Sequence, residues 1–306
     1  MRTATAIVCL AAGLWWSGGA PGAAPAVSPV AEQTSAPPQQ GVPAPERIVS
    51  LVPALTEILF AIGAGSQVVG VSSFDTFPPE VQALPRVGAL LDPDTERVLS
   101  LRPDLIITYA SQDDAERRFS RAGIRTYSYR HEGVAGVFDT IRTLGAVTGH
   151  EAGAVRLARD LQATLDEVRA RVKGRPRPRT LLVLERQPGT LRGIYASGGA
   201  GFLHEILDAA GGTNVFADVA GESVQPSHET LIREAPEVVI ELRATGGTGP
   251  AELRDVQAAW SALASIPAVR NGRLHLLTGQ YLVIAGPRLG AATEAIARAL
   301  HPQAFR

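Results

Sequence analysis

The chain has 306 residues, 45% hydrophobic and 19% charged, which is enough length and apolar material for a buried core and, by size, for two domains. Its 29 basic and 30 acidic residues leave a net charge of −1 and a pI near 6.6. That balance supplies no field for gathering a polyanion, so no nucleic-acid partner is expected.

Residues 1–26 read as a signal peptide. Arg2 precedes an apolar run from Ala4 to Trp16 that is too short to cross a bilayer, and small residues follow up to a cut after Ala26. Export to the periplasm is therefore expected. The only cysteine, Cys9, lies inside the apolar run and not at its end, so no lipid anchor is expected. Removal of the leader would leave no thiol for a disulfide, a nucleophile or a zinc site. Residues 27–45 are rich in Pro, Ala and Gln without an apolar period and read as a disordered tether.

The body begins with a lobe over 46–147. Strands are predicted at Arg47 to Val52, Val68 to Ser72, Asp104 to Tyr109 and Arg125 to Arg130. Helical segments are predicted at Thr56 to Ile62, ended by Gly63-Ala64-Gly65, and at Gln112 to Arg121. Strands that alternate with helices and carry near-continuous apolar residues imply a parallel sheet covered on both faces. Residues 148–174 form a linking helix. Thr148 and Glu151 have capping-box spacing, Val155, Ala158, Leu161, Leu165, Val168 and Val172 share one face, and Gly174 and Pro176 mark the stop. From about 150 to 172 it would run roughly 35 Å at 1.5 Å per residue. A second lobe over 175–306 repeats the strand pattern at Thr180 to Glu185, Val238 to Leu242 and Leu274 to Thr278. The expected fold class is thus α/β, with two lobes, each a mainly parallel sheet flanked by helices, joined by one long α-helix. The cleft between the lobes is the expected ligand site.

The halves echo each other. ERVLSLRPDLII from Glu96 returns as ETLIREAPEVVI from Glu229, and EILFAIGAG from Glu57 as EILDAAGGT from Glu205. Asp94 and Ser227 stand two places before Glu96 and Glu229 and are suited to be N-caps. Each glutamate then falls in the first turn of a helix, where the helix dipole favours a carboxylate. Two acids in matching places predict a pair of knobs, one per lobe, for a partner with two basic sockets.

These features resemble the substrate-binding proteins of ABC importers that carry a helical backbone between lobes, and within that family the cobalamin-binding branch. VGVSSFDTFPPEV from Val69, LPRVG from Leu84, YASGGAGFLHEIL from Tyr195, AGGTNVFADV from Ala210 and AGPRL from Ala285 carry the likeness. The resemblance implies a monomer without cofactor or catalysis that binds a small-molecule metal chelate, a corrinoid first. Glu96 and Glu229 would then dock onto arginines of a dimeric ABC permease. It also implies ligand contacts at Pro53, Ser73, Phe74, Tyr109, Tyr195, Tyr281 and Arg288. Family tryptophans fall at Leu90 and Ser223, and a family aspartate and arginine fall at Gln280 and Ile284.

Haem is the nearest rival on the same fold. Its iron wants an axial Tyr or His, and Tyr109, His131 and Tyr281 all sit at predicted strand ends. A ferric siderophore could use Arg130, Arg186, Arg243 and Arg288. A secreted hydrolase is the rival from another class, yet no G-x-S-x-G occurs, Lys173 is the only lysine, and the histidines show no metal spacing.

Overall fold

The computed structural model describes residues 43–247 and 249–306. The signal-peptide reading and most of the tether lie outside the described residues.

The N-terminal lobe runs β1 (Ile48–Ser50), α1 (Pro53–Ile62), β2 (Val68–Val71), α2 (Thr95–Ser100), β3 (Leu105–Tyr109), α3 (Asp113–Arg121), β4 (Arg125–Tyr129) and α4 (Gly133–Thr148). Its strands pair in the order β2-β1-β3-β4, all parallel. Pro53 opens α1, where its fixed φ suits the helix and its missing N–H costs nothing. Gly63 closes α1 at φ 102°. Next comes the linking helix α5 (Glu151–Val172), about 33 Å long at 1.5 Å per residue. The expected Thr148 cap does not form. Thr148 is the last residue of α4, its hydroxyl donates to the Leu144 carbonyl at 2.6 Å, and Gly149 turns the chain at φ 75°. A helix already occupies the place where the cap would begin a new one.

The C-terminal lobe runs β5 (Arg179–Glu185), β6 (Tyr195–Ser197), α6 (Gly201–Ala209), β7 (Thr213–Asn214), β8 (Ser223–Val224), α7 (His228–Glu234), β9 (Val238–Arg243), α8 (Pro250–Trp260), α9 (Pro267–Arg270), β10 (Leu274–Thr278) and α10 (Leu289–Leu300). The sheet order is β10-β9-β5-β6-β8, with β7 beside β5. The strands foreseen from sequence, β5, β9 and β10, run parallel, as does the two-residue β7 beside β5. The short β6 and β8 join antiparallel.

One apolar core threads both lobes. It takes Ile48, Leu105 and Ile107 from the first sheet and Leu182, Val238 and Ile240 from the second, and joins them through Leu161, Leu165 and Val168 of α5. Glycine permits this closeness. A Cβ on Gly153 of α5 would lie 1.8 Å from the Ile62 carbonyl oxygen, so α1 and α5 meet backbone to side. The opposite sheet faces bear separate clusters. Val49, Leu51 and Ile106 pack under Val98 of α2, and Leu181, Val183 and Val239 lie with Leu231 of α7. The two repeated helices therefore cover equivalent faces, each turned away from the linking helix.

Most letters of the repeat are explained by one corner built twice. Asp94 and Ser227 accept hydrogen bonds from the Arg97 and Thr230 amides at 2.9 and 3.1 Å, as N-caps. Arg102 and Ala235 then turn left-handed, at φ 48° and 44°, just before Pro103 and Pro236. The guanidinium of Arg47 donates to the Leu101 carbonyl at 2.8 and 2.9 Å, and that of Arg179 to the Glu234 carbonyl at 2.8 Å, so both helix C-termini are satisfied by an arginine at the start of a neighbouring strand. The acids after the prolines, Asp104 and Glu237, accept the Arg47 and Arg179 amides in return. Glu96 and Glu229 play no part in this corner; both are exposed, in the first turns of α2 and α7.

Candidate functional site

Ligands of open α/β sheets gather beyond the carboxyl ends of the strands, and here those ends face each other across the seam between lobes. On the N-terminal side the loop after β2 is tightly made. Asp75, buried, accepts from the Ser72 amide at 2.8 Å and its hydroxyl at 2.6 Å, while Arg86 donates to the carbonyls of Ser72 and Asp75. With its polar atoms fixed inward, the loop leaves Phe74 and Phe77 outward, 36% and 39% exposed. Tyr109 and Tyr129 are register partners at the ends of β3 and β4, and their rings meet edge-on at 5.5 Å.

The C-terminal side presents Tyr195, opposite Glu185 at the end of β5 and 42% exposed. It also presents the segment from Gly279 to Arg288, which reaches the other lobe. Gln280 donates to the Phe74 carbonyl at 2.8 Å and accepts from the Thr76 hydroxyl. Arg288 forms a two-pronged pair with Glu57 of α1, at 2.8 and 2.6 Å, with the carboxylate side chain 1% exposed. The same guanidinium lies 4.1 Å from the Phe77 ring centre and 5.5 Å from that of Tyr281.

At the other end of the seam, His131 follows β4 and packs edge-on against Phe202 of α6, ring centres 5.3 Å apart. Its Nδ1 shares a hydrogen bond of 3.1 Å with the Tyr129 hydroxyl, and its Nε2 stands 3.9 Å from Glu222. Burial pushes the His131 pKa below its ordinary value, against the opposing pull of Glu222, Glu205 and Glu132. Burial, then Glu222, pushes the Tyr109 hydroxyl up. Glu205 accepts the Val134 amide at 2.9 Å at the start of α4. Both glutamates of the Glu-Ile-Leu echo thus reach across the lobes.

The structure brings Phe74, Tyr109, Tyr195 and Tyr281 to the facing edges. Pro53 is half-buried at the head of α1, beyond the end of β1, and Ser73 is exposed with its amide donating to the Gly88 carbonyl at 2.7 Å. Arg288 is taken up by Glu57. Of the other arginines weighed, Arg186 is buried on Glu241 at 2.5 Å, Arg243 reaches the same carboxylate at 3.1 Å, and Arg130 is exposed. Trp260 donates to that carboxylate as well, at 2.8 Å, so Glu241 gathers three donors from one lobe. Sequence reasoning passed over Phe77, Phe202 and Glu222. The only hint was their place within or beside the motif stretches that begin at Val69, Tyr195 and Ala210. A depression of about 270 Å³ opens beside the Val134 and Glu205 contact, between Phe138 of α4, Leu165 of α5 and Ile206 of α6, and none of the aromatic groups named above lines it.

The periplasmic binding protein family model matches residues 48–281. The chain belongs to that family. Its members bind substrates for transport and are not enzymes. An uncharacterized ABC transporter substrate-binding lipoprotein of Bacillus subtilis, YvrC, is 30% identical over 86% of this chain and 82% of its own length. The vitamin B12-binding protein of Salmonella typhimurium is 28% identical over 83% and 90%. The periplasmic heme-binding protein RhuT of Roseiflexus, in its apo form, superposes with a TM-score of 0.71 at 28% identity, covering 85% of this chain and 99% of that one. Among the described residues no helix is long and apolar enough to cross a membrane.

Proposed function

We propose that the chain works on the extracytoplasmic side, captures a corrinoid between its lobes and hands it to a two-subunit ABC permease that docks on Glu96 and Glu229. The observation that carries the corrinoid reading is the chemistry of the seam. Phe74, Tyr109 and Tyr195 offer aromatic surface from both lobes, whereas Arg186 and Arg288 are already held by Glu241 and Glu57. A broad ligand with apolar faces suits that surface. Of the arginines weighed for a polyanionic siderophore, Arg130 is exposed, whereas Arg186 and Arg288 would have to be pulled from buried carboxylates, at a cost of several kcal/mol each.

Haem is the second reading, because Tyr109 and His131 stand at adjacent strand ends, and RhuT, a haem-binding protein by name, shares the fold. Against it, His131 is engaged by the Tyr129 hydroxyl and packed edge-on against the Phe202 ring. Absorption titration of the purified protein with cyanocobalamin and with haemin separates the two. Tight cyanocobalamin binding that weakens in Phe74→Ala and Tyr195→Ala is expected. A Soret shift that disappears in Tyr109→Phe would replace the corrinoid by haem.

A further inference from the structure

The two repeated helices can be compared position by position, and their buried and capping residues match for the structural reasons given above. The exposed positions are more informative. Arg97 corresponds to Thr230, and Ser100 to Arg233, so the surface chemistry has diverged there. Only two exposed places keep their character: the acid, Glu96 and Glu229, and a large aliphatic three residues later, Leu99 and Ile232, 40% and 46% exposed. Residues three apart on a helix are neighbours on one face, about 5–6 Å between Cβ atoms. Each lobe therefore carries a carboxylate beside an uncovered aliphatic side chain. Val98 and Leu231, one position before these aliphatics, are completely buried, so each lobe had an apolar residue for its core and shows a second one to solvent.

We propose that Leu99 and Ile232 are the apolar halves of two matched docking knobs, and that the occupant is a membrane permease of two subunits, each offering a cation next to an apolar pocket. The proposal rests on the docking reading of Glu96 and Glu229 and extends it. Charge and symmetry select the occupant. An anionic lipid surface would be repelled by the two carboxylates, and a second copy of this chain would set acid against acid. A two-subunit partner meets two equivalent knobs with two equivalent sockets. The acids would speed and orient the encounter, and the aliphatics would hold the complex once water is excluded.

The test measures binding of fluorescently labelled protein to right-side-out membrane vesicles from the source organism, with protein-free liposomes of the same lipids as control. Wild type should bind saturably and more weakly as salt rises. Glu96→Gln/Glu229→Gln should lose affinity and most of the salt dependence. Leu99→Ala/Ile232→Ala should weaken binding roughly tenfold, the combined worth of covering two aliphatic side chains that are each already more than half covered in the free protein, while keeping the salt dependence. Leu99→Met/Ile232→Val should restore it. Unchanged thermal melting confirms that all variants fold. Wild-type affinity in the alanine pair, with loss in the glutamine pair, overturns the knob proposal and leaves the docking reading standing. No effect of either pair, no saturable binding, or equal binding to protein-free liposomes overturns both.

Discussion

The Glu57 and Arg288 pair joins the lobes at a point where neither side chain has another ionic partner among the described residues, and it makes a quantitative prediction. The Glu57 side chain is 1% exposed and Arg288 26%, with two hydrogen bonds of 2.6 and 2.8 Å between them. Arg288→Gln strands a carboxylate in the core. Breaking one partner of a buried pair costs about 3–5 kcal/mol, and the lower end applies because burial already pushes the Glu57 pKa up, so that the carboxyl can take a proton. At about 2–4 °C per kcal/mol for a chain of this size, the melting temperature should fall by roughly 6–12 °C at pH 7. The folded pKa is raised, so the folded state holds that proton more tightly than the unfolded one, and the deficit should shrink as pH falls from 7 towards 5. Glu57→Gln should cost less, since Arg288 keeps partial contact with water and the Phe77 ring. The double variant Glu57→Gln/Arg288→Met should recover most of the loss. Urea unfolding of the four proteins at both pH values decides the matter. A loss below about 1 kcal/mol for Arg288→Gln, or one indifferent to pH, would refute the reasoning and return Arg288 to the ligand.

Two other outcomes follow from buried groups. His131, His275 and His301 all titrate below their ordinary value, with burial the first cause. The unfolded chain therefore takes up protons from about pH 6.5 downward while the fold does not, and stability is fully present above that pH and falls below it, by up to about 1.4 kcal/mol per pH unit for each histidine. Urea midpoints at pH 7.5, 6.5 and 5.5 should decline in that order and decline less in His131→Gln; a flat series contradicts this. Gly153→Ala should destabilise by about 2 kcal/mol, because the clash with the Ile62 carbonyl outweighs alanine's better helix propensity; a stabilised variant would mean that α1 and α5 pack otherwise.

What the sequence revealed and what it concealed divide along physical lines. Strands such as Leu105–Tyr109 and Val238–Arg243 are apolar runs buried on both sheet faces, and a linear reading finds them. Tyr195–Ser197 and Ser223–Val224 are too short for a period and exist only because they pair with a neighbour. The repeat was visible as letters, and its caps at Asp94 and Ser227 followed from spacing. The roles of Arg47 and Arg179 did not, since each caps a helix more than 50 residues away. Arg288 shows the same limit. Its carboxylate partner lies 231 residues earlier, and only contact in space turns a candidate ligand residue into a lobe-to-lobe tie.

Amide hydrogen exchange on the free protein, and on the protein saturated with whichever of cyanocobalamin or haemin binds more tightly, tests directly whether the ligand is held between the lobes. Slowed exchange should concentrate on residues 72–77, 109–112, 195–199 and 279–284, drawn from both lobes. Protection limited to one lobe, or centred on the depression between α4, α5 and α6, would contradict capture at the seam.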